Sequence, residues 1–129
     1  MIKQAIYTLL KNDAAVAALV VARIYPSHLP QNCTLPAISF TRISGAEQTT
    51  HSGPNGFAEQ VFQIDCWAET PLAAETLGAA VSDLLNGYTG TVGTTQITNV
   101  ELLNTTDMDD VAIGDYRTSL DFSFEFSES

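Results

Sequence analysis

Residues 116–126 read YRTSLDFSFEF, and this alternation constrains the fold more than any other stretch. Tyr116, Thr118, Leu120, Phe122, Phe124 and Phe126 fall on one side of an extended chain. Arg117, Ser119, Asp121, Ser123 and Glu125 fall on the other. A period of two demands a strand with one face in a core and the other wet or against a partner. Two more segments have the same period. In AISFTRI, 37–43, Ile38 and Phe40 oppose Ser39 and Thr41. In the strand over 58–68, Phe62, Ile64 and Cys66 oppose Gln63, Asp65 and Trp67. These two strands are consecutive, which favours a hairpin.

The apolar faces need a cover, and a helix follows directly. Thr70 is a good N-cap and Pro71 suits the first helical position, where a missing N–H costs nothing. Leu77, Ala80, Val81, Leu84 and Leu85 form an i, i+3, i+4 stripe, and Asn86-Gly87 ends it. This predicts one long helix over about 71–86. Ile2, Ala5, Ile6, Leu9 and Leu10 predict an N-terminal helix, and Asp13 caps a second over 14–20. RIYP, 23–26, closes that element, and SHLPQNCTLP is a loop bracketed by prolines. TGTVGTTQITNVELL, 89–103, reads as one or two strands with glycine turns. The fold class is α+β: an antiparallel sheet of strands of mixed length, packed by one long helix and the N-terminal helices. The length of 129 residues suits a single domain, 1–129.

Two polar segments, 44–57 and NTTDMDDVAIGD over 104–115, read as long loops. Long loops in a small domain tend to carry function, so both are candidate interaction segments. The first holds Glu47, His51 and Asn55, and the second holds Asp107, Asp109 and Asp110.

Charge narrows the partners. Fifteen acidic residues stand against 5 basic ones, a formal net charge of −10. Such a surface disfavours binding to nucleic acid or anionic membranes and suits basic partners. Between Lys3 and Arg23 the apolar run is broken by Lys11, Asn12 and Asp13, so no signal or membrane-spanning segment is expected. Cys33 and Cys66 make no disulfide framework, which fits a reducing cytoplasm.

No catalytic set assembles from the motifs. The turn CWAETPL lacks Gly-x-Ser-x-Gly and Gly-Lys-Ser/Thr. Cys66 would need a histidine base, and His28 and His51 lie in expected loops. An EF-hand starting at Asp107 would need glycine and glutamate where Ala112 and Thr118 stand. Strand alternation separates Asp65 from Glu69 as a carboxylate pair. The cysteines and histidines have no zinc spacing. The expectation is no catalytic residue, metal or cofactor. Trp67 reads as an anchor of the core or of an interface.

The pattern as a whole resembles the tail-completion or tail-terminator proteins of long-tailed bacteriophages and prophages, long catalogued as a domain of unknown function. The resemblance is carried by AIYTLLKNDAAVAALV with RIYP, LPAISFTRISG, VFQIDCWAETPLAAETLGAAV and YRTSLDFSF, in that order over nearly the whole chain. It implies a structural virion protein, not an enzyme, assembled in the host cytoplasm and ending in the tail or neck. Such a protein forms a ring with copies of itself, usually a hexamer. The ring ends the tail tube, meets the tail tube protein and the head connector or head-closure protein, and lets DNA through without binding it. The acidic balance fits such a channel. Rival readings are another neck, head-closure or minor tail component, a small cytoplasmic enzyme, and an adaptor domain.

Overall fold

The computed structural model describes residues 2–21, 23–26, 30, 33–43, 58–110 and 115–128. The candidate residues Glu47, His51 and Asn55 lie outside these residues, as do His28 and Ala112.

Helix α1, Ile2–Asn12, buries Ile2, Ala5, Ile6 and Leu10. Asp13 then accepts the N–H of Val16 at 3.1 Å and starts α2, Ala14–Val20. Val21, in the left-handed region at φ 49°, ends α2. The chain then forms a short strand, β1, Ile24–Pro26. The expectation that RIYP only closes a helix misses this strand. It pairs parallel to β2, Ala37–Arg42, with Ile24 beside Ile38.

β2 is antiparallel to β3, Ala58–Ala68, as expected. Thr70 accepts the N–H of Ala73 at 3.1 Å and α3, Pro71–Leu85, begins with its proline in the first turn. Gly87, at φ 81°, reverses the chain after α3 in a conformation a side chain would strain. β4, Gly90–Val92, turns through Gly93 at φ 60° into β5, Thr95–Asp110, and β6, Asp115–Glu128, returns along β5. The sheet order is β1-β2-β3-β6-β5-β4, antiparallel apart from β1.

The segment 104–115, expected as a loop, is strand up to Asp110 and again from Asp115. Asp107 pairs with Thr118, Asp109 with Tyr116 and Asp110 with Asp115. Polar composition misleads here because residues 103–108 are exposed on both faces of β5, so no apolar alternation marks them.

α3 lies on β3, β6 and β5, with α2 beside it, and α1 packs on α2 and β1 and touches β4. The core fills the space between these helices and the sheet. Phe62 and Phe124 meet edge to face at 5.7 Å, next to Phe122. All three rings are fully buried, and burial of such a side chain contributes roughly 1.5–3 kcal/mol. Gly78 lets α3 settle onto β6: a Cβ there would stand 2.9 Å from the Thr118 methyl.

Candidate functional site

The sheet face away from the helices carries a polar network across β2, β3, β6 and β5. Strand alternation puts Ser39, Asp65, Arg117 and Ser119 on this face while their neighbours fill the core. Asp65 is its centre. Its carboxylate accepts from the Ser119 hydroxyl at 2.6 Å and from Gln63 Nε2 at 2.9 Å. The Arg117 guanidinium approaches the same carboxylate at 3.6 Å. Arg117 also lies 4.9 Å over the Trp67 ring and touches Met108 Sδ. Trp67 Nε1–H donates to Ser39 Oγ at 3.1 Å. Trp67, singled out in the sequence, therefore ties β2, β3 and β6 together. Its neighbours Ser39, Arg117 and Ser119 carry no motif, and only strand register could have pointed to them.

Chemically this network is a clamp. Ser119 donates to Asp65, whose carboxylate is also held by Gln63 and faced by Arg117, so the contact joins β3 to β6. Asp121 sits diagonally from Asp65 on the same face. Partial burial, and then the charge of Asp65, hold its carboxyl above its ordinary range.

The other candidates are dispersed. Cys66 faces the core, fully buried, and burial together with the Asp65 charge pushes its thiol far up. A thiol so placed is a packing group. Glu69 is exposed beyond the end of β3, away from the buried Asp65. Asp107 accepts the Thr118 hydroxyl at 3.0 Å, which ties the two strands of the β5–β6 hairpin. Asp109 and Asp110 follow at the far end of β5. Among the described residues, no three histidine, cysteine or acidic side chains gather as metal ligands. Nor is any helix among them long and apolar enough to cross a membrane.

A second feature lies between α3 and the β5–β6 hairpin. A groove of about 280 Å³ runs between Glu75, Gly78, Ala79 and Ser82 on one wall and Leu102, Thr105 and Asp107 on the other. A smaller hollow of about 160 Å³ adjoins it toward Pro71, Tyr116 and Arg117. Leu72 and Leu103 stand exposed, at 72% and 51%. Both hollows are open at the surface, not enclosed cavities.

The family model of tail completion protein gp17 matches residues 4–125. The chain belongs to this family. The tail completion match begins inside α1 and ends inside β6, covering every element between them. A chain in the solved structure titled virion of native gene transfer agent (GTA) particle has the same fold. The TM-score is 0.79 at 22% identity, over 98% of this chain and 94% of that one. No curated protein sequence matches. As a tail completion protein, the chain is a structural component of the phage tail and belongs to the virion.

Proposed function

We propose that this protein ends the tail tube and joins it to the head connector, acting as a ring of six copies through which the genome passes. The observation that carries this is the family match over 4–125, from the first helix to the last strand. The site is consistent with it: the polar network is a clamp between strands, and the groove is an open surface. Its partners are further copies of itself, the tail tube protein and the connector or head-closure protein. DNA passes without a binding site, since an acidic wall repels phosphate. The protein gathers in the host cytoplasm during assembly and ends in the neck of the virion.

The test is deletion of the gene from its phage or prophage, with the lysate viewed by electron microscopy. Full heads beside unjoined tails, some of abnormal length, are expected. Joined infectious particles of normal tail length would overturn the reading. Normal tails beside heads that leak DNA would move the protein to head closure.

A further inference from the structure

We propose that the groove between α3 and β5 receives the cationic N-terminal part of a second copy, head to tail. This rests on the ring reading above and names the surfaces that would close it.

The first observation is an edge that no described strand covers. β4 pairs with Thr95 to Ile97 only. The turn after α3 serves the next stretch: Gly87 N–H donates to the Val100 carbonyl at 2.7 Å, and Asn86 Oδ1 accepts the Leu102 N–H at 3.1 Å. From Leu103 to Asp110, no described strand lies on the outer side of β5. A strand edge of this length offers a surface to another chain, and its acidic residues, Asp107, Asp109 and Asp110, favour a basic one. The groove wall beside it is built from small residues, Gly78, Ala79 and Ser82, so a neighbour can approach closely.

The second observation selects the occupant. Residues 1–42 hold Lys3, Lys11, Arg23 and Arg42 against one acid, Asp13. All the other acidic residues follow, with Arg117 as the sole cation among them. Helix α1 and the groove show this split. Lys3 and Lys11 are exposed on α1, which has no acidic residue. Glu75 and Asp107 are exposed on the groove, and the one arginine near it, Arg117, faces Asp65. Two copies of a chain with net charge −10 repel on average. Contact of the groove with itself would oppose carboxylates. Contact of the groove with α1 of the next copy opposes unlike charges instead. Such a contact uses two different patches, which is the geometry that closes rings.

The test pairs Lys3→Cys with Glu75→Cys in a Cys33→Ser background, in particles made by the parent phage. A short thiol-to-thiol cross-linker should give a ladder of linked copies on a denaturing gel, while a variant with either introduced cysteine alone beside the buried Cys66 stays monomeric. Joined particles that contain the protein at normal amount but give no ladder would overturn the contact and leave the ring reading standing. Linkage of Glu75→Cys to itself, or to another virion protein, would also overturn it. Joined particles that lack the protein altogether would instead overturn the ring reading. A charge exchange provides the second measurement. Lys3→Glu with Lys11→Glu, or Glu75→Lys with Asp107→Lys, should each cut infectious yield about tenfold or more, the scale of losing paired interfacial charges. All four substitutions together should restore it. Folding of each variant is checked by circular dichroism, and folded variants with unchanged yield would overturn the contact.

Discussion

Ser119 Oγ donates to Asp65 Oδ1 at 2.6 Å, across 54 residues of sequence and two neighbouring strands. Both residues are buried although they lie on the sheet face away from the helices. Asp65 also accepts from Gln63 and faces Arg117. Asp65→Ala therefore leaves a buried hydroxyl and a guanidinium without their acceptor. The expected loss is about 2–3 kcal/mol in urea unfolding. Asp65→Asn retains one acceptor oxygen and loses less. Equal stability of Asp65→Ala and the parent would show that the clamp contributes nothing.

Asp121 shows the opposite behaviour. Partial burial and the Asp65 charge raise its carboxyl pKa in the folded state. The folded protein then holds that proton more tightly than the unfolded chain does. Ionisation of Asp121 costs the folded state, and stability from this group falls as pH rises from its ordinary 3.8 through the raised value. Asp121→Asn should thus melt higher than the parent at neutral pH. The gain should shrink as pH falls and vanish below 3.8. A gain that is constant with pH would remove the electrostatic account.

The same residues show what could be read from sequence. β3 and β6 are legible because each has one dry face, so Phe62, Ile64, Phe122 and Phe124 imprint the period of two. α3 is legible because its start is local chemistry, Thr70 and Pro71. The outer half of β5 is not, because residues 103–108 are wet on both faces and pairing with β6 makes the strand. β1 is hidden too, since Ile24 to Pro26 are strand only through β2, far along the chain. The clamp depends on register: nothing near Asp65 in sequence announces Ser119 or Arg117. No motif marks Gly78, and only the fold makes it the place where α3 meets Thr118.

Gly78 gives a prediction about packing. A Cβ at this position would sit 2.9 Å from Thr118 Cγ2. Thr118 has little room to turn, because it is buried and its hydroxyl is held by Asp107. Gly78→Val must push α3 away from β6, and overpacking of this kind costs about 1–3 kcal/mol. The helix gains some propensity over glycine, which offsets about 0.5 kcal/mol of that. A fall of several degrees in Tm is expected, and the double variant Gly78→Val, Thr118→Ser should recover part of it by removing the methyl. If the double variant were no better than the single one, the contact with Thr118 would not be the cause.

The cysteines test whether the turn into α3 holds any chemistry. Cys66 lies just before that turn, but its side chain points into the core beside Phe62 and Ile64 on the same strand. Burial raises its thiol pKa, with the Asp65 charge adding to the rise, so thiolate is scarce at neutral pH. Cys33 is half-exposed, donating to the Thr34 carbonyl at 3.3 Å. Titration with a thiol reagent at pH 8 should therefore label Cys33 alone in the native protein, and both cysteines after unfolding. Cys66→Ala should leave head-to-tail joining intact while lowering stability by about 1 kcal/mol, as loss of a small buried group does. Rapid labelling of Cys66 in the native state, or loss of joining in a folded Cys66→Ala variant, would return a reactive thiol to consideration.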